Sequence, residues 1–344
     1  MKTFVIAEAG ANHNRNFNQA KALIDVASNS GASACKFQTY SSETLYSKHT
    51  PDFAGYTNIN KLIKDIELPR EWQKDLKQYC DESGIEFMST PFDEKAVEEL
   101  IDIGVKRLKI SGFESTDFRF VEMVASTKLP LIISLGIGFH SNFITGDKDT
   151  DLIRLFEIIN KHENDLTLLH CNNAYPTPIE DCGLYSVKRL SSYTQKPPIG
   201  APWKLPFKTG LSDHTRATSI PAIAVALGAD VIEKHFTLSR NLSGPDHSFA
   251  LEPTELKQMI SLINKTEKSM DSPSGQYSKS EIPFISARRS VVAKRKIKKG
   301  EEFTANNITT KRPFLKGNVV ASEWFNILEK TASADYNIDD FIRE

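Results

Sequence analysis

Short apolar runs alternate along the chain with longer amphipathic segments. Eight of these runs have the length and composition of buried strands, and they begin at Phe4, Ser33, Glu86, Arg107, Pro130, Leu166, Thr209 and Val231. The segments between them repeat apolar residues at helical spacing, and several end at a glycine such as Gly31 or Gly104. Eight strand–helix units predict a (β/α)8 TIM barrel. An open doubly wound sheet is the alternative, and the absence of a GxGxxG motif disfavours it.

The pattern changes after residue 270. A small, polar stretch over residues 271–286 is typical of a linker. Beyond it, residues 287–344 contain short β-like runs and turns but no long helical pattern. We therefore expect a barrel over residues 1–270, followed by the linker and a small, mostly β domain.

Two stretches do not fit the strand–helix repeat. Ser41–Lys64 is long and mixed in composition, and it is predicted to be a loop of the kind that is either functional or disordered. The proline-rich segment 196–208 precedes the seventh strand and has no assigned structure.

Composition excludes several classes of function. The chain has 43 basic and 44 acidic residues and a formal net charge of −1, which argues against a nucleic-acid-binding protein. The four cysteines show no CxxC spacing and are expected to be reduced thiols. No apolar run approaches the ~20 residues of a membrane span, and the first residues do not resemble a signal peptide. We expect a cytoplasmic protein.

The stretch GADVIEKHF places three titratable residues, Glu233, Lys234 and His235, inside an apolar strand. Buried strands exclude ions unless the ions are paired or take part in chemistry. Because side chains alternate along a strand, Glu233 and His235 share one face and Lys234 lies on the other. Glu233 is then a candidate either to pair with Lys234 or to support His235.

Polar residues occur at the end of every predicted strand. In a parallel barrel these ends meet at one face, where TIM-barrel enzymes have their active sites. The ends carry Glu8, Lys36, Gln38, Thr90, Lys109, Glu114, Ser134, Asn173, Tyr175, Ser212, His214 and His235. Two lysines, several hydroxyls and two histidines together suggest an anionic substrate and a metal ion. Taken singly, the hydroxyl residues are more typical of helix caps. Lys36 taken singly fits a surface lysine and a site residue equally well.

Several longer motifs occur in a fixed order: IAEAGANHN, CKFQTY, STPFD, LKISGFE, LLHCNNAYPTP, GLSDHT and GADVIEKHFTL, followed by GPDH. In sequence and order they resemble the sialic acid synthase family, whose members make N-acetylneuraminate and the bacterial pseudaminic and legionaminic acids. The tail SVVAKRKIKKGEEFTANNITTKRP resembles the family's C-terminal antifreeze-like (SAF) domain. Any one motif is weakly specific, but the ordered set covers the whole chain.

The resemblance implies a reaction and the groups that it needs. Phosphoenolpyruvate (PEP) would condense with an open-chain N-acylated amino sugar, and phosphate would leave. A divalent metal ion is implied, Mn²⁺ or Mg²⁺, with Co²⁺ also compatible. The resemblance further implies a domain-swapped homodimer, in which the small domain of one chain covers the barrel mouth of the other.

The resemblance also implies roles for individual residues. His214 and His235 match the metal ligands. Glu8 matches a glutamate beside the reacting carbons, where it would handle a proton or orient the attacking water. The PEP-binding set is matched by Lys36, Thr90, Lys109, Ser134, Asn173 and Ser212. The sugar-binding set is matched by Gln38, Glu114, Tyr175, Asp246 and, from the small domain, Arg312. The implied catalytic residues are Glu8, Lys36, Lys109, His214 and His235.

Three positions depart from the family's motifs. Arg15 replaces a glycine, Leu135 replaces a threonine on the fifth strand, and Gly112 stands where the family has a serine. Because Gly112 has no hydroxyl, one phosphate-binding group of the family has no counterpart at this position. The sequence does not determine whether the acceptor sugar is N-acetylmannosamine or a bacterial 2,4-diacetamido-trideoxyhexose. Some motifs resemble the neuraminate and legionaminate branches, and others resemble the pseudaminate branch.

Two alternatives remain open. A barrel aldolase or 3-deoxy-keto-acid phosphate synthase acting on another aldose would share the fold. A Schiff-base aldolase would use a buried lysine such as Lys109, which borohydride trapping with pyruvate would reveal. The other alternative is a non-catalytic sugar-binding protein on the same scaffold, which a lack of metal-dependent PEP binding in calorimetry would favour.

Overall fold

A computed structural model describes residues 2–52, 55–137, 139, 150–195, 206–271, 275 and 277–343 of the chain. Packing divides the chain into two compact units, Met1–Met270 and Asp271–Glu344. Of the proline-rich segment 196–208, residues 196–205 lie outside the described residues.

The first unit is built on a sheet of eight parallel strands. They are β1 Phe4–Gly10, β2 Ala34–Thr39, β3 Glu86–Pro91, β4 Leu108–Ile110, β5 Leu131–Leu135, β6 Leu166–Cys171, β7 Phe207–Asp213 and β8 Val231–His235. Their order in the sheet is β3-β2-β1-β8-β7-β6-β5-β4. The two end strands, β3 and β4, pack beside each other, so the sheet forms a nearly closed barrel. The predicted TIM barrel is confirmed.

Helices connect and surround the strands. They are α1 Phe17–Ser30, α2 Ile59–Ile66, α3 Gln73–Glu82, α4 Glu94–Asp102, α5 Phe118–Ser126, α6 Thr150–His162, α7 Tyr185–Gln195, α8 Ile220–Ala226 and α9 Pro253–Met270. Helix α1 shows why the sequence pattern was informative. The side chain of Asn16 caps its first turn by accepting from the Gln19 amide, and Gly31 ends it with a φ of 85°.

The prediction of a loop over Ser41–Lys64 is wrong at its carboxyl end. Helix α2 begins at Ile59, after Asn58, whose side chain accepts a hydrogen bond from the amide of Lys61. Ile59 and Ile63, four residues apart, are the buried face of this short helix. Because these two isoleucines are separated mostly by polar residues, the sequence showed no clear helical repeat here.

The two faces of the barrel sheet have different environments. Strand residues such as Val5, Phe37 and Ile232 pack with the helices in the large apolar core. The alternate positions face the barrel interior, where they form a separate apolar layer of Ile6, Ala34, Met88, Ile132, Leu169 and Val231. This layer closes the interior near the amino ends of the strands.

The second unit is small and mostly β. Its strands, β9 Ser290–Ala293 and β10 Ile308–Lys311, pair antiparallel. A 3₁₀ helix at Ile282–Ala287 precedes them, and the short helix α10 Trp324–Ile327 follows. The unit has its own core, formed by Val291, Ala293, Ile297, Phe303, Ile308, Ile327, Ala332, Tyr336 and Ile342.

Two expectations from composition concern thiols and membranes. All four cysteines are free, as expected for reduced thiols. Within the described ranges, no helix combines the length and apolar character needed to cross a membrane.

Candidate active site

Above the apolar layer, towards the carboxyl ends of the strands, the next inward-facing residues are mostly polar. Counting two residues on from each member of the apolar layer gives Glu8, Lys36, Thr90, Ser134, Cys171 and Glu233, all buried. Lys109 of the short β4 and Ser212 of β7 are buried at the same level. The structure thus brings together every residue predicted to bind PEP, except Asn173, in one layer.

Two lysine ammonium groups dominate this layer. Lys36 Nζ donates to Thr90 Oγ1 at 2.9 Å and lies 2.7 Å from Glu8 Oε2. Lys109 Nζ donates to Ser134 Oγ and to the carbonyl of Ile110, both at 2.8 Å. Neighbouring strands therefore hold each ammonium group in place, which preorganises positive charge for an anion.

Glu233 lies between the two lysines. Its carboxylate oxygens are 3.7 Å from Lys36 Nζ and 3.9 Å from Lys109 Nζ, and Oε1 accepts a hydrogen bond from Ser212 at 3.0 Å. Glu233 does not pair with its neighbour Lys234, which lies on the opposite face of β8. The acidic residue therefore supports the lysine pair, a contact that the sequence did not predict.

Burial and the neighbouring opposite charges shift the pKa values of Lys36, Lys109 and Glu233 in opposite directions. Burial lowers the pKa of Lys36, but Glu233 and Glu8 outweigh it, and the net pKa is raised. For Lys109 burial dominates and lowers the pKa, although Glu233 opposes the shift. Burial raises the pKa of Glu233, but Lys109 and Lys36 lower it by more. Glu233 is therefore ionised at neutral pH.

Glu8 is suited to proton transfer. Burial raises its pKa to about 7, against the opposing effect of Lys36. Gln38 donates to its Oε1 at 2.8 Å and orients the carboxyl group. A carboxyl group that titrates near neutral pH can both accept and release a proton under working conditions.

Two histidines stand at the carboxyl ends of β7 and β8. The ring centroids of His214 and His235 are 5.4 Å apart. His214 Nδ1 bonds to the carbonyl of Asn172 at 2.6 Å, which fixes its proton on Nδ1 and leaves the lone pair on Nε2. Burial lowers the pKa of His214 to about 4 and the pKa of His235 well below its ordinary value. Both rings are neutral at pH 7.

These two rings fit the requirements of a divalent metal ion. A metal ligand must be an unprotonated imidazole, and the buried Nδ1 of His235 has no hydrogen-bond partner within the described chain. That atom lies 3.8 Å from Asp246 Oδ2. Among the described residues, no three His, Cys, Asp or Glu side chains form a metal-binding group. The protein would supply two ligands and leave the other positions open.

Asp246 and Tyr175, both predicted to line the sugar pocket, lie beside the histidines. Burial raises the pKa of Asp246 to about 6, and its carboxylate accepts from the Ala11 amide at 3.4 Å. A Cβ at Gly10, whose φ is +51°, would lie 2.8 Å from Asp246 Oδ2. This close approach requires a glycine. The Tyr175 ring lies 4.1 Å from the His214 ring, centroid to centroid.

Asn173 packs closely against Gly112, the position of one departure from the family's motifs. Its Oδ1 accepts from the Ile137 amide at 2.8 Å, and its side chain passes between two glycines. A Cβ would come within 3.0 Å of this side chain at Gly112 and within 1.9 Å at Gly136. Gly112 thus leaves room for Asn173. The neighbouring Ser111 does not replace a hydroxyl at position 112, because it donates to Glu114.

The other two departures leave the polar layer intact. Leu135 packs in the core between sheet and helices, on the face opposite Ser134. Arg15 adopts a φ of +50°, and its guanidinium donates to the carbonyl of Lys64 at 2.7 Å. Arg15 therefore ties the loop after β1 to the end of helix α2, where its guanidinium also lies 3.5 Å from the Glu67 carboxylate.

Arg312 belongs to the second unit. It follows β10 directly, is exposed within this chain, and precedes a cis peptide bond to Pro313. Its predicted contact with the sugar therefore stays a prediction.

Sequence reasoning missed one buried ion pair near the histidines. Lys234 Nζ lies 2.6 Å from Asp213 Oδ2 and donates to the carbonyl of Thr215. Both charged residues directly precede a histidine, Asp213 before His214 and Lys234 before His235. The period-two pattern placed Lys234 on the outer face, but its partner on the neighbouring strand could be recognised only from the register of β7 and β8.

Comparison with known proteins identifies the family of this chain. The sequence profile of the NeuB family matches residues 23–274, and that of the SAF domain matches residues 288–336. The N,N'-diacetyllegionaminic acid synthase of Campylobacter jejuni is 38% identical, over 100% of this chain and 99% of that protein. A pseudaminic acid synthase of Campylobacter jejuni is 31% identical, over 100% of this chain and 96% of that protein.

A solved structure shows the same fold. It is the N-acetylneuraminic acid (sialic acid) synthetase of Leptospira borgpetersenii in complex with citrate, which superposes with a TM-score of 0.71 at 30% identity. The match covers 83% of this chain and 90% of that one. The profile match extends over most of the barrel unit, and all of the ordered motifs except IAEAGANHN at residues 6–14 lie within it. The chain belongs to the NeuB family and carries a C-terminal SAF domain.

Proposed function

We propose that this protein condenses PEP with an open-chain N-acetylated amino sugar, giving a nine-carbon sialic acid-like keto acid and phosphate. Membership of the NeuB family and two relatives named as legionaminic and pseudaminic acid synthases support this reaction class. The observation that carries the proposal is the buried pair of Lys36 and Lys109. The hydroxyls of Thr90 and Ser134 hold the two ammonium groups. The neutral rings of His214 and His235 lie further towards the carboxyl ends of the strands.

The lysine pair is the proposed PEP site. PEP carries a phosphate and a carboxylate, and two ammonium groups match these two anionic ends as point charges. Thr90, Ser134 and Ser212 contribute hydroxyl groups that can turn towards the bound anion. Because the site is buried, each of these interactions is stronger than it would be in water.

His214 and His235 are the proposed metal ligands. A bound divalent ion, Mn²⁺ or Mg²⁺ with Co²⁺ as a further candidate, would act there as a Lewis acid towards the aldehyde oxygen of the sugar. The chain's own contribution is to keep both imidazoles neutral by burial and to fix the His214 tautomer through Asn172.

The bond changes follow from the two substrates. The PEP methylene carbon forms a bond to the aldehyde carbon, whose oxygen takes up a proton. Water adds to C2 of PEP, and phosphate leaves as its C–O bond breaks. Glu8, with a pKa of about 7 and a position fixed by Gln38 and Lys36, is placed to take the proton of the attacking water.

The proposed acceptor is a bacterial 2,4-diacetamido-trideoxyhexose of the legionaminate type. The support is the higher identity to the legionaminic acid synthase, 38% against 31% for the pseudaminic acid synthase. Glu114, Tyr175 and Asp246 are the proposed sugar contacts. Mass spectrometry of products from a panel of 2-acetamido sugars with PEP tests the assignment, and a sole product from N-acetylmannosamine would contradict it.

The proposed assembly is a cytoplasmic, domain-swapped homodimer. The four free thiols support a reducing compartment. The exposure of Arg312 within this chain leaves its guanidinium accessible to the barrel of a second copy. An Arg312→Ala variant that binds the sugar as tightly as the wild type would contradict this role.

The decisive test is the replacement of Lys109 by methionine, which keeps the length of the side chain and removes its charge. We expect phosphate release from PEP and sugar to fall at least about 100-fold, because a buried charge on the reacting anion is lost. Lys161→Met is the control, since Lys161 is an exposed lysine paired with Glu122. Near-normal turnover of a folded Lys109→Met variant would contradict the proposal. PEP labelled with ¹⁸O in its bridging oxygen should transfer the label to phosphate.

A further inference from the structure

Glu233 faces both lysines of the PEP site but is hydrogen-bonded to neither. Its oxygens lie 3.7 and 3.9 Å from the two ammonium nitrogens, beyond hydrogen-bond length. Lys36 and Lys109 direct their hydrogen bonds to Thr90 and Ser134 instead. The one hydrogen bond that the Glu233 carboxylate accepts from the described residues comes from Ser212. Its buried Oε2 accepts no hydrogen bond from the described residues.

A carboxylate in this position opposes the binding of another anion. It can donate no hydrogen bond, and it repels a phosphate or carboxylate held by the same two lysines. With the effective dielectric of a protein interior, a unit charge about 5 Å away changes the affinity for an anion by roughly tenfold or more. Glu233 also accepts the hydroxyl proton of Ser212, so Ser212 can donate to the anion only by giving up this hydrogen bond.

The reaction proposed above leaves inorganic phosphate in the place where PEP was bound. Without Glu233, the one carboxylate beside the pair among the described residues would be Glu8 at Lys36, and the two lysines would retain that phosphate and slow the next turnover. We propose that Glu233 is a positioning residue that limits the anion affinity of the Lys36–Lys109 pair and so allows phosphate to leave. This inference rests on the proposed function, and it goes beyond it by assigning a role in product release to the carboxylate that faces both lysines of the proposed PEP site.

The test is Glu233→Gln in the full-length, Mn²⁺-loaded protein. Glutamine keeps the shape of the side chain, removes the negative charge, and can donate to Ser212. We expect the inhibition constant of inorganic phosphate and the KM for PEP both to fall about tenfold or more. We expect kcat to fall as well, because phosphate leaves more slowly. If Glu233 had a purely structural role, its replacement by glutamine would raise the KM for PEP or leave it unchanged.

Two further variants keep the test decisive. Glu86→Gln removes a carboxylate from an ion pair with Arg107 at the opposite end of the barrel, and it should leave phosphate inhibition unchanged. Glu233→Asp keeps the charge but draws it back from the lysines, and it should lower the phosphate inhibition constant by a smaller factor. It serves as the test if the glutamine variant does not fold.

Calorimetry with inorganic phosphate alone separates failure of this inference from failure of the proposed function. If the wild type turns over PEP but a folded Glu233 variant binds phosphate no more tightly, this inference is wrong and the proposed function stands. If the wild type neither turns over PEP nor binds phosphate, both are wrong.

Discussion

The ion pair between Lys234 and Asp213 offers a quantitative test of how the fold holds the ends of β7 and β8. Its two side chains are 1% and 2% exposed, and Nζ lies 2.6 Å from Oδ2. Lys234→Met removes the cation while preserving most of the side-chain volume. The variant leaves the Asp213 carboxylate buried without its counter-ion, and the Thr215 carbonyl loses a donor.

The expected loss can be worked from this geometry. Two unit charges at this distance attract by about 6 kcal/mol with an effective dielectric constant of 20. Desolvation offsets part of that attraction in the intact pair, but the unpaired carboxylate retains its desolvation cost in the variant. Breaking a buried pair typically costs about 3–5 kcal/mol, so we expect Lys234→Met to lower the free energy of unfolding by about 4 kcal/mol.

Urea unfolding followed by circular dichroism measures this loss. Lys161→Met, at an exposed salt bridge, should change stability by less than about 0.5 kcal/mol. The double variant Lys234→Met/Asp213→Asn should be clearly more stable than the sum of the two single losses predicts, because it leaves no unpaired charge. A loss below about 1 kcal/mol for Lys234→Met, or simple additivity, would refute the reasoning.

Two further predictions concern histidines. Burial lowers the pKa of His13 from 6.5 to about 4, so between these values the unfolded chain binds a proton that the folded chain does not. Above pH 6.5 this residue therefore does not change the free energy of unfolding. As the pH falls to 5, it lowers the free energy of unfolding by about 2 kcal/mol. Urea midpoints of His13→Asn should depend less on pH, and parallel profiles for variant and wild type would contradict this. His235→Ala should bind Mn²⁺ at least about tenfold more weakly in calorimetry. His170→Asn, whose ring in the wild type bonds to the Cys182 carbonyl, should bind it normally, and equal affinity of all three proteins would exclude His235 as a ligand.

Much of the architecture could be predicted because the barrel is built from local patterns. Each strand is a short apolar run, and the alternation of side chains places Glu8, Lys36 and Glu233 on the inward face. The carboxyl ends of parallel strands meet at one face, so polar residues scattered along the sequence could be expected to cluster. Neither step requires knowledge of which strands are neighbours.

The contacts within the cluster could not be predicted in this way. Glu233 meets Lys36, two strands away, and Lys109, which approaches from β4 across the barrel interior. Both contacts depend on closure of the sheet and on its register, which no local pattern encodes. Helix α2 escaped prediction for a related reason: its buried face consists of only two isoleucines, too few to stand out from a loop.

The layering of the barrel interior has a kinetic consequence. Along β8 the inward residues are Val231, Glu233 and His235, so an apolar floor, the lysines and the imidazoles follow one another at intervals of roughly 7 Å. The side chains of this floor are at most 4% exposed, so we expect both reactants to enter from the carboxyl ends of the strands. A molecule bound at Lys36 and Lys109 would be covered by a second molecule bound at His214 and His235. For the proposed reaction this dictates sequential kinetics: PEP enters before the sugar, and phosphate is the last product to depart.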